Sequence, residues 1–153
     1  MRLALRPAKD AERDFCETLS RANMAPYLAA RGIAWTPARF RESWEAFENH
    51  MIEADGRRAG LLRLMPEAEA LGLRDLQLLP AFQRRGIGTW AVRQSVELAA
   101  QRGYRLVRLR VYEENPAKAL YLRLGFVLER ISDGTAHLRL AVREPLRPPD
   151  SGD

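Results

Sequence analysis

The heptad Gln83-Arg84-Arg85-Gly86-Ile87-Gly88-Thr89 holds two arginines and two glycines at the point where one kind of periodicity gives way to another. The apolar run before it, residues 71–79, reads as a buried strand, and the amphipathic run after it, residues 88–102, reads as a helix. The first turn of a helix carries backbone N–H groups with no intrahelical partner and the positive end of the macrodipole. Glycine lets such a backbone approach a ligand without a Cβ in the way. The chemistry this predicts is a cradle for a phosphate or pyrophosphate, with Arg84 and Arg85 as countercharge. Residues 86–91 also satisfy the loose pattern G-x-G-x-x-G/A, but here residues 80–85 separate strand from glycine, unlike a dinucleotide-binding turn. The triphosphatase pattern G-x-x-x-x-G-K-[ST] is absent from the sequence.

A second segment, residues 115–126, reads as a short helix with written ends. Asn115 suits the N-cap, Pro116 the first helical position and Gly125 the left-handed residue past the end. Ala117, Leu120, Tyr121 and Leu124 keep i, i+3, i+4, i+7 spacing and so share one inward stripe. Tyr121 therefore brings a polar tip to an apolar face, as a core tyrosine or as a proton donor.

On these residues the chain resembles the GCN5-related N-acetyltransferases (GNAT). Gln83-Arg84-Arg85-Gly86-Ile87-Gly88 is similar to the acyl-CoA motif Q/R-x-x-G-x-G/A, and Asn115…Ala119-Leu120-Tyr121…Gly125-Phe126 is similar to the second signature of that superfamily. The two lie in the family's order, separated by a helix and a strand (residues 106–112), and the resemblance is strongest over residues 71–126. It implies an α/β fold, the GNAT acyl-CoA N-acyltransferase fold, with a central mixed sheet flanked by helices. It also implies acetyl-CoA as co-substrate and transfer of an acetyl group to a primary amine through a ternary complex.

The resemblance assigns roles to particular residues. Leu76, Gln77 and Leu78 would pair their backbone with pantetheine in a slot between splayed strands, and a Leu78 N–H would bind the thioester oxygen. Packing of these leucine side chains in a core is compatible with that use of the backbone. Gln83, Arg84, Arg85, Gly86, Ile87, Gly88, Thr89 and Asn115 would complete the coenzyme site, and Tyr121 would protonate the leaving thiolate. Histone-acetylating relatives carry a glutamate eleven positions ahead of the motif glutamine. Gly72 stands there, which leaves Asp75, Glu53 or a water chain as base and favours a small-molecule or peptide-terminal amine over a histone-like lysine. Asn23, Tyr27 and Trp35 are the candidates for the acceptor pocket, whereas Phe40, Trp44 and Phe47 read as a core stripe. A non-catalytic CoA-binding sensor or interaction module is the alternative from another functional class.

Composition bounds the rest. At 153 residues and 46% hydrophobic, the chain suits one domain, expected over residues 1–146 with a mobile tail at 147–153. The net charge of +5 is scattered rather than gathered into a stripe with stacking aromatics, which argues against nucleic acid as partner. No apolar run approaches the length needed to cross a bilayer, and nothing resembles a metal-ligand cluster. Cys16 stands alone, so no internal disulfide forms, and a cytoplasmic location is expected. Dimers are common among relatives, so a homodimer is compatible. Residues 1–7 read as a first strand, and residues 11–22 as a helix capped by Asp10. A second helical piece over residues 24–31 and a helix opened by Thr36-Pro37 follow. Hairpins turn at Asp55-Gly56 and Asp133-Gly134, with a loop at residues 66–70. Residues 71–79, 88–102 and 106–112 are expected to form a right-handed strand–helix–strand crossover.

Overall fold

A computed structural model describes residues 1–143; the expected tail at 147–153 lies outside the described residues. Seven strands are hydrogen-bonded in the order β1-β2-β3-β4-β5-β7-β6. They are β1 (Leu3–Pro7), β2 (Glu48–Ala54), β3 (Arg57–Glu67), β4 (Ala70–Leu78), β5 (Leu106–Tyr112), β6 (Val127–Ser132) and β7 (Thr135–Ala141). Helices α1 (Arg13–Ala30), α2 (Pro37–Ala46), α3 (Ile87–Gln101) and α4 (Ala117–Arg123) complete the mixed α/β arrangement. In chain order α3 joins β4 to β5, which are neighbours in the sheet. The chain divides into two compact units: Met1–Met65 with Leu73–Val92, and Pro66–Gly72 with the described residues from Arg93 onward.

In the first unit, β1 pairs antiparallel with β2 from Leu3↔Ala54 to Pro7↔His50, and β2 pairs antiparallel with β3. The expected β2–β3 hairpin forms, with Asp55 (φ 51°) and Gly56 (φ 77°) both left-handed, as a two-residue turn that follows the strand twist requires. Cys16, Leu19, Phe40, Trp44, Met51 and Leu61 form a buried cluster on which Ala8, Phe15, Trp35 and Leu79 pack. Two expectations are corrected. Residues 11–31 are not two helical pieces: a 3-10 turn at Asp10–Glu12 leads into one continuous α1. Asp10 is not its cap, because Glu12 reaches back to the Lys9 amide (3.0 Å) while the Asp10 carboxylate accepts from Trp44 Nε1 (3.3 Å). Pro26 is tolerated inside α1 because the carbonyl it orphans, on Ala22, is in an exposed position open to water. Thr36 does cap α2, its hydroxyl accepting from Arg39 N at 3.4 Å.

In the second unit, β7 pairs antiparallel with both β5 and β6. Alternate residues Val107, Leu109 and Val111 of β5 are buried, together with Ala136, Leu138, Tyr121 and Phe126. The turn at Asp133 (φ 50°) and Gly134 (φ 71°) repeats the geometry of the first hairpin. The expected loop at 66–70 is instead a tight turn: β3 runs to Glu67, β4 starts at Ala70, and Ala68 takes φ 50°. Pro66 concealed this strand extension, since proline is admitted where its missing donor is not needed.

Candidate active site

The turn after β4 belongs to the first unit and is made by backbone. Leu79 N–H donates to Ala59 O (2.9 Å), Pro80–Phe82 forms a 3-10 turn, and Gln83 returns to extended geometry (φ −75°, ψ 154°). Arg84 (φ 61°) and Gly86 (φ 81°) are then both left-handed, and α3 begins at Ile87. Ile87 is fully buried and anchors the turn, whereas Arg84, Arg85 and Gly86 are exposed. A left-handed arginine costs roughly 1–3 kcal/mol, a cost that concentrates at ligand sites. Glycine at position 86 is required by its φ rather than by crowding, because a Cβ there would meet nothing within 4 Å. Trp90 N–H bonds to Gly86 O (3.1 Å), so the amides of Ile87, Gly88 and Thr89 stand ahead of the helical ladder. The Arg85 guanidinium lies 5.7 Å from the Phe82 ring centroid. A run of amides outside the helical ladder at a helix start, flanked by two exposed arginines, suits a pyrophosphate.

The end of β4 is held by side chains. The Asn23 amide, from α1, donates to Gln77 Oε1 (3.1 Å) and to Leu78 O (3.0 Å). The Gln83 amide donates to the same Leu78 carbonyl (3.0 Å). Gln77 Nε2 in turn donates to Asp75 Oδ1 (2.7 Å), and Asp75 Oδ2 lies 3.6 Å from Arg63 Nη1. Arg63 is 4% exposed; it donates to Asn49 Oδ1 (2.9 Å) and to the Ser43 hydroxyl. Its guanidinium lies 4.6 Å and 4.8 Å from the ring centroids of Phe40 and Phe47. Burial pushes the Asp75 carboxyl above the usual range, against the pull of Gln77 and Arg63. Burial likewise draws the Arg63 guanidinium down, and Asp75 opposes that. Gly60 on β3 admits β4 this closely, since a Cβ there would collide with the Gln77 carbonyl oxygen.

The second unit carries the other motif. Asn115 Oδ1 accepts from Ala117 N (2.9 Å), so the predicted cap is made by the predicted side chain, although regular helix starts only at Ala117. Tyr121 is 7% exposed and packs edge-on against Phe126, with centroids 5.8 Å apart. Gly125 (φ 102°) ends the helix, and Phe126 N–H bonds back to Tyr121 O (3.1 Å). Gly72, also in this unit, is explained by its neighbour: a Cβ there would lie 2.8–3.0 Å from the Glu67 carboxyl atoms. A carboxylate from β3 therefore stands over the position where a β4 glutamate is missing.

The structure thus joins Asn23, Asp75, Gln77, Leu78 and Gln83 in one hydrogen-bonded group. It does not bring Glu53 to them: Glu53 accepts from Arg6 Nε (2.9 Å) between β1 and β2. Trp35 packs on the core cluster with its ring 6.1 Å from that of Phe40, and Tyr27 is half-buried near the end of α1. Phe40 and Trp44 are buried, as their spacing indicates, while Phe47 lies beyond α2 and stacks under arginine. Sequence reasoning missed Arg63, Ser43 and Asn49. The available signal was a lone arginine inside the apolar run at residues 59–65, which a buried strand has to pair. Among the described residues no group of three or more His, Cys, Asp or Glu could hold a metal, and no helix is long and apolar enough to cross a membrane.

Comparison with known proteins agrees with this geometry. No curated protein matches the sequence. Among solved structures, the chain is similar to the ribosomal-protein-S18-alanine N-acetyltransferase of Escherichia coli (TM-score 0.76, 18% identity, 94% of this chain and 96% of that one). It is also similar to the PaiA N-acetyltransferase of Thermoplasma acidophilum in complex with coenzyme A (TM-score 0.73, 18% identity, 92% and 99%). A third is the NAA60 protein of Arabidopsis thaliana in complex with a bisubstrate analogue (TM-score 0.71, 15% identity, 93% and 100%). At these identities the likeness establishes the fold. The Acetyltransferase (GNAT) family profile matches residues 13–126, most of the chain and both motifs, and the protein therefore belongs to the GNAT acetyltransferase family.

Proposed function

We propose that residues 1–146 act as one acetyl-CoA-dependent N-acetyltransferase domain, moving the acetyl group to the amine of a small molecule or a peptide terminus. The observation that carries the reading is the turn in which Arg84 and Gly86 are left-handed and the first amides of α3 stand ahead of the helical ladder. The residues present fit the coenzyme: Arg84, Arg85, Gly86, Ile87, Gly88 and Thr89 would hold its pyrophosphate, the backbone of Leu76, Gln77 and Leu78 its pantetheine arm, and Asn115 belongs to the same set. When bound, acetyl-CoA supplies an acyl thioester. The Leu78 N–H would stabilise the oxyanion that develops on attack, and the Tyr121 hydroxyl would give its proton to the departing sulfur. Direct transfer within a ternary complex is favoured because the lone cysteine is no nucleophile: burial pushes the Cys16 thiol up to about 12.

The acceptor has to arrive neutral. A lysine amine near pKa ~10.4 is about one part in two thousand neutral at pH 7, whereas an α-amine near ~8 is roughly a tenth neutral. Asp75 is committed to Arg63 and Gln77, and Glu53 to Arg6, so the proposed base is water held at the acceptor site. An acceptor that is already partly neutral suits such a weak base, which supports an amino terminus or a small amine over an interior lysine. Tyr27 and Trp35 are proposed to wall that pocket. A cytoplasmic location fits a chain that uses no disulfide.

Thiol release from acetyl-CoA, followed against a panel of free amines, peptides with free amino termini and amino-blocked lysine peptides, tests the reading. Turnover is expected with the first two groups. Turnover confined to the blocked lysine peptides overturns the acceptor class. Tyr121→Phe keeps the edge contact with Phe126 and deletes only the hydroxyl, so turnover is expected to fall about 100-fold with coenzyme affinity unchanged. An unaltered chemical step would leave Tyr121 as packing alone.

A further inference from the structure

We propose that Asn23 is a positioning residue, which together with Gln77 forms a two-amide clasp setting the end of β4 to receive the pantetheine arm. The inference rests on the reading of β4 as the strand that pairs with the acyl donor. The Asn23 amide, on α1, bonds to β4 twice, to the Gln77 side chain and to the Leu78 carbonyl. The Leu78 carbonyl is filled by two side-chain amides, those of Asn23 and Gln83, so both its lone pairs are committed within the protein. It is therefore not the group on β4 that accepts from a ligand; the Gln77 carbonyl is turned toward Gly60 of β3, so that task falls to Leu76.

The clasp is itself held. Gln77 Nε2 is anchored on Asp75 Oδ1, and Asp75 on Arg63, which is buried between two rings and bonded to α2 and β2. Rotating the Gln77 amide would turn an N–H toward the Asn23 donor and a carbonyl toward a carboxylate, so its orientation is fixed by partners on both sides. The Asn23 orientation follows from that, because its NH2 meets two acceptors, Gln77 Oε1 and Leu78 O. Arg63 thus sets Asp75, Asp75 sets Gln77, Gln77 sets Asn23, and Asn23 fixes the peptide just ahead of the phosphate turn. The clasp is directed at the strand end whose backbone does the work.

Calorimetry separates positioning from plain structural support. The probes are CoA and its nucleotide half, adenosine 3′-phosphate 5′-diphosphate, which carries the pyrophosphate and lacks pantetheine. Asn23→Asp keeps the size of the side chain and removes its donors, and Asn23→Ala removes it entirely. Both are expected to weaken CoA about tenfold while leaving the nucleotide half unchanged. Gln77→Met, which keeps length without the amide, is expected to give the same split, and thermal melting confirms that each variant is folded. Equal affinity of wild type and all three variants for CoA, or equal loss for both probes, would overturn the clasp. Failure of wild type to bind either probe would instead overturn the coenzyme reading on which it rests.

Discussion

The turn before α3 and the Arg63–Asp75 network lie in the same compact unit and solve opposite problems. The turn is built from backbone: two left-handed residues, amides outside the helical ladder and exposed arginines. The network is built from side chains, each polar atom turned onto another and roofed by Phe40 and Phe47. One region leaves its donors available, and the other uses them up. A ligand site made of backbone can wait open because water satisfies its amides at little cost. A buried arginine and carboxylate have no such recourse, and every unmade contact there is expensive. Leu78 stands where the two regimes meet, its carbonyl bonded from the network by Asn23 and from the turn by Gln83.

The largest expected effect breaks the closed region. Arg63→Leu leaves the Asp75 carboxylate buried beside Gln77 without its countercharge, and at pH 7 this is expected to cost about 3–5 kcal/mol of stability, read from urea unfolding. Adding Asp75→Leu removes the orphaned charge, and the double variant is expected to recover a good part of that loss. A single variant that loses under about 1 kcal/mol would show that solvent reaches the pair and that the region is not closed.

The next effect breaks the open region and is read on the ligand instead. Gly86→Val puts a β-branched residue at φ 81° with nothing nearby to clash. The strain of roughly 1–3 kcal/mol is relieved by leaving the left-handed conformation, which dissolves the turn without disturbing the core. CoA affinity is expected to fall by about tenfold to a hundredfold, with a melting temperature close to that of wild type. Equal CoA affinity in the two proteins, measured by calorimetry, would remove the pyrophosphate from this turn.

The same contrast explains what was legible in the sequence. The turn, the Asn115 cap, the Gly125 stop and both two-residue hairpin turns are local: the residues that impose the geometry are adjacent to those that use it. The network bonds residues far apart in the chain, Asn23 to Gln77 and Leu78, and Arg63 to Asn49, Ser43 and Asp75. No periodicity announces such a pairing. The family resemblance makes Asn23 a candidate for the acceptor pocket, and only the folded chain shows that its amide bonds to β4. Asp75 and Glu53 looked equivalent as acidic candidates, and only tertiary pairing separates the buried one from the one bonded to Arg6. One error in elements has a local cause of a different kind: Pro66 suggested a break where a strand continues.

The smallest effect sharpens the comparison by examining a side-chain network nearer the surface. Arg6 donates to both carboxylate oxygens of Glu12 (2.7 and 2.8 Å), the Lys9 amide adds a third bond, and Arg58 stands 3.7 Å away. The Arg6 hydrogen bonds, together with those neighbours, hold the Glu12 carboxyl down to about 2 from an ordinary 4.5, against the opposing effect of burial. A carboxylate whose folded pKa is depressed contributes stability that is complete above the unfolded value. That contribution fades as pH falls from about 4.5 through about 2. Glu12→Gln keeps the side-chain size and removes the charge. Its melting temperature is therefore expected to lie below that of wild type at neutral pH, with the gap narrowing across this window and closing near its lower end. The Gly86→Val turn, which involves no carboxylate, is expected to show no such convergence in its melting temperature. A gap for Glu12→Gln that stays constant from neutral pH to about 2 would mean that the Arg6–Glu12 contact contributes through packing, and not through the charge that distinguishes side-chain networks from the backbone turn.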